Sequence, residues 1–559
     1  MHFNNLLFAA MSVCAVSCAD NMENTKWLFP EDHDTDGWRS ALYPVDWTPD
    51  FRDAQGRFIH DFSYAGYHGG LADIPVSNRN FLDVTKEPYK ADNTGKNDAT
   101  KAIQSAINDV AGVGGIIYLP AGLYKVSSQN GVNNVLSITS DKTVIRGDGH
   151  DKTFLLNTSV NMRSKSIVNF SKKASWDTPV GEQVRLASDL LFPTRTIPVE
   201  NAGVFSVGDL VVIKSDITDE FRKEYNVGGH WNNLTKGPHL LRTIVSVNNI
   251  DRTVEIDVPT RGALRTKYNT RIFKVGEHLE ECGVENLAIA NIQNPKSTGW
   301  GENDYTIEGT GAYEVHGSSI IHFNNAENCW VKKVYTFCPE GNEESIHILS
   351  NGISVDNSRY ITVKDCNIQR SQYEGGGGNG YLYTVSGCDN LFDNCVAEHG
   401  RHNFDIKSMT ATGNVIHKCK SINPSLASDF HMHLSVANLF DCFTADGDFI
   451  DASFRPWGSE KARHMYSTSE SVIWNARGLK AHPQENNLVV SLQYGNGYVI
   501  GTSGAVSTVR TTPVTGVLNN IEYNTSPEDW VEGQGLGTTL VPQSLYEDQL
   551  DKRKLRENR

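Results

Sequence analysis

Side chains that transfer protons or bind anions are concentrated between residues 370 and 433. The set comprises Arg370, Tyr381, Tyr383, Arg401, His402, Asp405, Lys407, His431 and His433. These residue types suit β-elimination on a uronate-containing polysaccharide. In that reaction a base removes the proton beside the sugar carboxylate, a cation neutralises the carboxylate, and an acid protonates the leaving oxygen.

Each part of this reaction has a candidate in the sequence. We expect His431, His433 or Lys407 to act as the base and Tyr383 to act as the acid, with Arg401 completing the catalytic set by holding the carboxylate. The residues that we expect to bind substrate are His322, Asn324, Arg370, His402, Asp405 and Arg455.

Hydrolysis of a glycosidic bond is the main alternative, because it needs two carboxylates beside the bond. Asp405 and Asp356 are candidates, with Asp429 and Glu374 nearby. A dehydratase that acts on the same sugars would use the same elimination with water as the leaving group. A non-catalytic glycan-binding protein is a further alternative, although it would not need this cluster of proton-transfer groups.

Two groups of residues are candidates for metal binding. His431 and His433 lie two residues apart and would point the same way from a strand, but the sequence offers no clear third ligand. Asp446, Asp448 and Asp451 resemble part of a calcium site. The sequence therefore identifies no certain cofactor, and Ca²⁺ is the candidate that it leaves open.

The elements that must position these residues repeat along the chain. Four segments close on a cysteine at intervals of 29, 24 and 23 residues, at Cys366, Cys395, Cys419 and Cys442. A period in this range, with short β-rich units, predicts a solenoid in which equivalent residues stack about 4.8 Å apart. We expect the cysteines to form a buried ladder rather than disulfides.

A second strand of each coil alternates between apolar and polar residues. The runs at 404–407 and 430–434 place apolar residues at every second position. Period two buries one face of a strand and exposes the other. Stacked coils would therefore align the exposed residues, including Tyr381, Tyr383 and His431, into one stripe.

The start of the solenoid carries three recognisable segments: FLDVT at 81–85, ADNTGKNDAT at 91–100 and GGIIYLPAGLY at 114–124. They resemble the N-terminal region of pectate-lyase-superfamily and polygalacturonase-related proteins, of the exported bacterial polysaccharide-lyase type. The resemblance implies an all-β protein, a right-handed parallel β-helix with a short N-terminal capping helix. Polygalacturonases also have an Asn-x-Asp strand, which Asn403 and Asp405 match, but no Asp-Asp pair follows here, and this departure disfavours hydrolysis.

These patterns divide the chain into four regions. We predict a signal peptide at 1–18, a lead-in segment at 19–79 and the β-helix at 80–510, with a β-rich insertion near 185–275. The tail at 511–559 is expected to be loop-like up to 541 and to end in a short helix.

The first residues predict export. An apolar run at 6–11 is too short to span a bilayer, and AVSC at 15–18 resembles a bacterial lipobox with Cys18 as the lipidated residue. The first five residues contain no Lys or Arg, so an ordinary secretory peptide is the alternative. We expect an outer-membrane lipoprotein that faces the periplasm or the cell surface, or a secreted protein.

The net charge of −15 argues against nucleic acid as a partner and against membrane contact other than through a lipid anchor. The expected partner is an acidic polysaccharide or oligosaccharide, such as the algal glycans ulvan and alginate. An acidic glycan would need a local basic patch on this acidic protein.

Overall fold

The computed structural model of the protein is a right-handed parallel β-helix, which confirms the predicted fold class. The structure describes residues 37–76, 80–129, 133–173, 175–232, 234, 237–459 and 463–557. The predicted signal peptide and Cys18 lie outside these residues. Across the described ranges, no helix is long and apolar enough to cross a membrane.

The first coils lie under an amphipathic helix that closes the N-terminal end of the core. This helix, α1, buries Ile103, Ala106 and Ile107 on one side, as a helical period of 3.6 residues requires. The elements in this part are β1 (Phe81–Asp83), β2 (Thr94–Asp98), α1 (Thr100–Asp109), β3 (Gly115–Leu119), β4 (Gly122–Val126), β5 (Leu136–Ile138), β6 (Thr143–Gly147), β7 (Thr153–Asn157) and β8 (Ser166–Ser171).

An antiparallel sheet then interrupts the solenoid, beginning ahead of the insertion boundary expected at 185. Its elements are β9 (Val180–Arg185), β10 (Thr196–Pro198), β11 (Leu210–Lys214), α2 (Asp219–Glu224), β12 (His239–Asn248), β13 (Thr253–Ile256) and β14 (Arg271–Lys274). Two buried ion pairs join this insertion to the solenoid. Arg242 Nη1 lies 3.0 Å from Asp389 Oδ2, and Arg359 Nη1 lies 2.9 Å from Asp257 Oδ2.

The solenoid continues to residue 510. Its elements are β15 (Leu279–Glu280), β16 (Gly283–Asn291), α3 (Gly311–Val315), β17 (Ser319–Asn324), β18 (Ala326–Glu327), β19 (Trp330–Thr336), β20 (Asn351–Arg359), β21 (Thr362–Lys364), β22 (Asn367–Gln369), β23 (Tyr381–Cys388), β24 (Leu391–Asp393), β25 (Val396–Glu398), β26 (His402–Ile406), β27 (Val415–His417), β28 (Lys420–Ile422), β29 (Ser428–Phe430), β30 (Ser435–Val436), β31 (Leu439–Asp441), β32 (Thr444–Asp446), β33 (Ile450–Ala452), β34 (Thr468–Ser469), β35 (Val472–Lys480), β36 (Val489–Ser491), β37 (Tyr498–Gly504) and β38 (Val509–Arg510).

Parallel pairing between coils builds the walls of the solenoid. One ladder runs β5-β8-β17-β20-β23-β26-β29-β33-β36-β38 and carries the polar stripe. The long sheet on the other sides joins β21-β24-β27-β31 and β22-β25-β28-β32 in two parallel rows. One core of Val, Ile, Leu, Phe and Cys side chains fills the space between these walls.

The C-terminal tail contains more structure than the expected loop. Strands β39 (Thr515–Leu518) and β40 (Ile521–Asn524) form a hairpin, β41 (Trp530–Glu532) pairs with β37, and α4 spans Leu545–Glu557. Asn519 and Asn520 both have positive φ angles, 48° and 63°, which a two-residue hairpin turn requires. The Asn-Asn pair was therefore a turn signal in the sequence.

The cysteine ladder exists for three of its four predicted members. Cys366, Cys395 and Cys419 are buried in the main core, and the backbone N–H of Cys395 lies 3.4 Å from Cys419 Sγ. Cys442 departs from the ladder, because the pairing of β27 with β31 places it opposite Lys418, and Phe443 takes the core position that Cys419 has one coil earlier. Its Sγ atom lies 3.1 Å from the carbonyl oxygen of Gln543. The cysteines of the described residues are all free thiols.

Buried asparagines form the corner of successive coils. The Nδ2 group of Asn390 donates to Asn414 Oδ1 at 2.9 Å, and Asn414 Nδ2 donates to Asn438 Oδ1 at the same distance. The backbone N–H of each also donates to the next asparagine's side chain at 3.1 Å. These bonds satisfy amides that burial would otherwise leave unpaired, and they hold the coils in register.

Candidate active site

Three aspartates lie in register on successive coils. Asp405 on β26 pairs with Asp429 on β29, which pairs with Asp451 on β33. Such residues lie about 4.8 Å apart and leave the same face of the sheet. The sequence analysis placed His431 and His433 on this strand instead. That prediction was wrong, because the strand ends at Phe430 and the backbone turns away after it.

Asp405 is buried without a hydrogen-bond partner. Neither carboxylate oxygen has one among the described residues, and the nearest cation, Lys407 Nζ, lies 3.5 Å from Oδ2. Burial raises the pKa of Asp405 to about 7; the charge of Lys407 opposes this shift, and the charge of Asp429 adds to it. Asp405 can therefore gain and lose a proton near neutral pH, as a group in acid–base catalysis must.

Asp429 has the opposite protonation state. Its Oδ2 atom accepts hydrogen bonds from Arg455 Nη1 at 2.6 Å and from His431 Nδ1 at 3.0 Å. Burial alone would raise the pKa of Asp429, but its interactions with His402, Arg455 and His431 outweigh this effect and hold the pKa well below its usual range. Asp429 is therefore an ionised carboxylate beside a carboxyl that titrates.

A histidine and a tyrosine continue the hydrogen-bonded chain from Asp429; the His431 side chain is 15% exposed and Tyr381 is buried. The Tyr381 hydroxyl and His431 Nε2 are 3.1 Å apart. Because His431 Nδ1 faces the Asp429 carboxylate, we assign the proton to Nδ1, so Nε2 accepts from the tyrosine. Burial lowers the pKa of His431 to about 3 and raises that of Tyr381 well above its usual range. Tyr381 is therefore a protonated donor hydrogen-bonded to a neutral imidazole.

The same residues test whether the site suits a metal ion. Ligand atoms of His402, Asp429 and His431 all lie within 4.8 Å of one another. However, Arg455 Nη1 already donates to Asp429 Oδ2 at 2.6 Å. The guanidinium supplies the positive charge at this point and would repel a divalent cation, so the residues do not fit a metal site.

The aspartates of the calcium-like segment have separate protein partners. Asp446 pairs with Lys420, Asp448 accepts from the backbone and hydroxyl of Ser428, and Asp451 pairs with an arginine. Within the described ranges these three carboxylates do not bring ligand atoms together. The arrangement therefore does not fit the calcium site that their spacing resembles.

Tyr383 does not lie on the polar stripe, and its predicted role as the acid is wrong. Its side chain is 1% exposed, its ring stacks on Phe404 with centroids 4.9 Å apart, and its hydroxyl donates to the carbonyl of Val396. Leu382 and Tyr383 both point into the core, so the alternation breaks between them. Tyr381 is the tyrosine that faces the aspartates.

Two further predicted site residues lie apart from this cluster. Arg370 follows β22 on another wall of the solenoid, where Nη2 lies 3.3 Å from Glu398 Oε1. His433 packs edge-on against Trp231 of the insertion, with ring centroids 6.2 Å apart. The structure does not bring either residue to Asp405.

His322 and Asn324 lie on the same face as Asp405 but on β17, three coils away. His322 Nε2 lies 2.9 Å from Asp356 Oδ2, and the Ser386 hydroxyl donates to the other oxygen of Asp356. These residues form a polar surface that leads toward the aspartates. It is long enough to contact several sugar units, since each coil adds about 4.8 Å.

Glu302 and His464 contact the cluster from distant loops and were missed by the sequence analysis. Glu302 Oε1 lies 2.9 Å from Arg401 Nη2, and the ring centroid of His464 lies 4.9 Å from that of His431. No repeat or motif marks either residue. Only the path of their loops over the solenoid places them here.

The comparisons with known proteins agree with the fold. Residues 82–190 match the family model described as rhamnogalacturonase A/epimerase, pectate lyase-like, which confirms the resemblance seen in the sequence. No curated protein matches the chain.

Several solved structures are similar at low identity. ORF18 of Geobacillus virus E2 is 12% identical over 77% of this chain and 58% of its own, with a TM-score of 0.39. The alginate lyase from Paenibacillus sp. str. FPU-7 is 9% identical over 74% and 95%, with a TM-score of 0.38. The catalytic domain of a GH87 α-1,3-glucanase is 13% identical over 80% and 58%, with a TM-score of 0.38. The chain thus spans less than two thirds of the viral and glucanase chains, and these similarities concern the fold alone.

Proposed function

We propose that the protein cleaves an acidic polysaccharide by β-elimination at the cluster around Asp405. One observation carries this proposal: Lys407 Nζ lies 3.5 Å from Asp405 Oδ2 and 5.2 Å from the ring centroid of Tyr381. A candidate base and a candidate acid are therefore side by side at one point of the polar stripe. Elimination needs both groups within reach of one sugar ring.

The base in this proposal is the pair Asp405 and Lys407. Asp405 is fully buried, whereas the Lys407 side chain is 25% exposed and can touch substrate. Because burial raises the pKa of Asp405 to about 7, its carboxylate can take a proton from Lys407 Nζ, which lies 3.5 Å away, and this transfer frees the electron pair of the amine. The amine removes the C5 proton of the uronate, and the electrons of that C–H bond form the C4–C5 double bond.

The acid in this proposal is Tyr381. Its hydroxyl gives a proton to the glycosidic oxygen as the bond from C4 to that oxygen breaks. His431 holds the hydroxyl in place before the reaction, because its neutral Nε2 atom accepts from it. The Lys407 ammonium formed in the first step then returns a proton to the Tyr381 phenolate, which restores both groups.

Arg401 is the proposed partner of the substrate carboxylate. It precedes His402 on the chain, and its charge acts on the Tyr381 hydroxyl, where it opposes the rise in the pKa of Tyr381. Its Nε atom is buried without a hydrogen-bond partner. When the uronate carboxylate binds to Arg401, the guanidinium neutralises the carboxylate charge. This neutralisation stabilises the enolate that forms when the C5 proton is removed.

Exposure favours elimination over hydrolysis. The side chains of Asp405 and Asp429 have no exposed surface, so a glycosidic oxygen or an attacking water does not reach them in this conformation. The partly exposed groups are Lys407, His431 and Arg401, whereas the Tyr381 side chain is 3% exposed and needs a small local movement to reach the glycosidic oxygen. A hydrolase needs two accessible carboxylates instead.

Hydrolysis remains a second candidate because of one specific feature. Asp405 and Asp429 are in register, and their environments shift the two pKa values in opposite directions. One protonated and one ionised carboxyl group are what an acid and a base in glycoside hydrolysis require. This mechanism would need the covering side chains to move.

The products distinguish the two mechanisms. The full chain would be incubated with pectate, alginate and ulvan, and near-UV absorbance and reducing ends would be measured in parallel. Elimination predicts that absorbance from unsaturated uronyl ends rises in proportion to the reducing ends. Reducing ends without this absorbance would establish hydrolysis, and the absence of both with all three polymers would leave only a binding function.

We further propose that the protein is an exported lipoprotein, anchored in the outer membrane through Cys18. The lipobox-like residues 15–18 support this. We expect detergent to be needed to extract the natural chain from membranes of expressing bacteria and Cys18→Ser to release it into the soluble fraction, as followed by immunoblotting. Equal distribution of the two forms would favour an ordinary secretory peptide.

A further inference from the structure

The structure points to Glu302 as a resident competitor for the substrate. We propose that, without substrate, the Glu302 carboxylate occupies the position on Arg401 that the uronate carboxylate takes when substrate binds. Glu302 would then set the affinity for acidic glycans and reject weakly charged ones. This inference rests on the proposed function, because it requires an acidic substrate that binds Arg401.

The charges of the site single out Arg401. Every cation in the described cluster already has a carboxylate partner, so an incoming anion must displace one. Arg455 and Lys407 pair with Asp429 and Asp405, whose side chains have no exposed surface. Displacing either carboxylate would leave a buried charge without a partner.

The pair of Arg401 and Glu302 is different because it lies at the surface. The Glu302 side chain is 60% exposed, and exposed ion pairs contribute little net stability. Once displaced, its carboxylate can be solvated by water. Arg401 is therefore the cation of this site that can change partner at low cost.

The surrounding bonds allow the exchange without a change of fold. The Glu302 carbonyl accepts from the Gly376 backbone at 2.8 Å and from the Tyr373 hydroxyl at 3.1 Å, so its main chain is held. Arg401 is held by its backbone bond to Gly380 at 2.7 Å. Only the Glu302 side chain needs to rotate.

The Arg401 guanidinium also has a hydrogen-bond donor without a partner among the described residues. Glu302 reaches it through one oxygen on Nη2, while Arg401 Nε is buried with no hydrogen-bond partner. A uronate carboxylate that displaces Glu302 and uncovers Nε would pair with Nε and Nη2 through both of its oxygens, and such two-point pairs are stronger than one-point pairs. A correctly oriented uronate therefore has an advantage over the resident glutamate.

The test compares two substitutions on one loop. Glu302→Gln removes the competing charge with little change in size. Glu308→Gln makes the same change of charge at an exposed residue on the same loop, without a bond to Arg401. We expect Glu302→Gln to lower the Kd and KM for the cleaved polysaccharide by about threefold to tenfold, with kcat within about twofold. We expect Glu308→Gln to change neither.

A double substitution separates displacement from general charge effects. In an Arg401→Met background, Glu302→Gln should no longer change the Kd, because no guanidinium remains for which to compete. The probes would be pectate, alginate and ulvan, with dextran as an uncharged control whose binding should not respond to either change.

The outcomes distinguish the two proposals. Equal effects of Glu302→Gln and Glu308→Gln, or an effect that persists with Arg401→Met, would overturn the role of Glu302 and leave the proposed function standing. If none of the acidic polymers binds, the proposed function fails, and the inference fails with it. Tighter binding for Glu302→Gln alone supports the competitor.

Discussion

Tyr381→Phe should lower kcat by about 10²- to 10⁴-fold, while KM changes little, because the variant removes only the proton that the leaving oxygen receives. The ring remains, so its contacts with His402 and His431 are preserved. Initial rates of the near-UV absorbance increase would measure the loss. Thermal unfolding of the same sample would show that the fold is intact.

Tyr383→Phe provides the matched control two residues away. Its hydroxyl donates to the Val396 carbonyl inside the core. We expect unchanged kinetics and a free energy of unfolding lower by about 1 kcal/mol. If Tyr383→Phe were inactive and Tyr381→Phe fully active, the acid would not be Tyr381, and the site would have to be assigned again.

Asp405→Asn should lower kcat by about 10²- to 10⁴-fold and change the pH profile of the residual activity. Below a pH of about 7 the wild-type Asp405 carboxyl is protonated, so it cannot take the proton that Lys407 must pass on before it acts as the base. Wild-type kcat should therefore rise as the pH passes through about 7. The asparagine variant should lack this rise, because its amide does not titrate.

The same substitution should change stability with a defined sign. Folding raises the pKa of Asp405 from about 3.9 in the unfolded chain to about 7, so the folded protein binds this proton more tightly. Protonated Asp405 therefore costs no stability below about pH 4, and ionisation of the buried carboxyl lowers the free energy of unfolding as the pH rises through about 7. Near pH 4 the variant and the wild type should be about equally stable. At pH 8 the variant should be more stable by up to about 4 kcal/mol, as measured by urea unfolding.

Asp429→Asn is the control of opposite sign. The pKa of Asp429 is lower in the folded protein than in the unfolded chain, so the ionised Asp429 carboxylate stabilises the fold. This stabilisation is present above the pKa of the unfolded chain and is lost only in acid. At pH 7 this variant should lose about 3–5 kcal/mol, because Arg455 would remain buried without one of its partners. If both variants shifted stability in the same direction at pH 8, the assigned protonation states would be wrong.

Much of the fold was predictable because its signals are local. The three segments at 81–124 identified the capping helix and the first coil, and the cysteine intervals identified the stacked coils. Alternation of apolar and polar residues identified the side chains that point into the core, such as Phe404 and Ile406 of β26. Burial of one face is a property of each strand, so it is written into that strand's own residues.

The sequence could predict which region of the chain forms the site. It could not predict the role of each residue, because that role depends on the register of the strands. A shift of one residue reverses the face of every side chain in a strand, and the sequence could not show that β29 ends at Phe430 or that alternation breaks between Leu382 and Tyr383. For that reason the sequence pointed to Tyr383 as the acid, and it named Asp429 only as a carboxylate near the candidates for hydrolysis.

The order of the amino acids was enough to identify the β-helix and the stretch of chain that carries its proton-transfer groups. The adjacency of Asp405 and Asp429, their opposite protonation states and the pairing of Glu302 with Arg401 became visible only in the folded chain. Charge and burial at these positions depend on neighbours that are 24 and 99 residues away along the chain. No local pattern records such neighbours, because the coils and the loops over them meet only when the solenoid has formed.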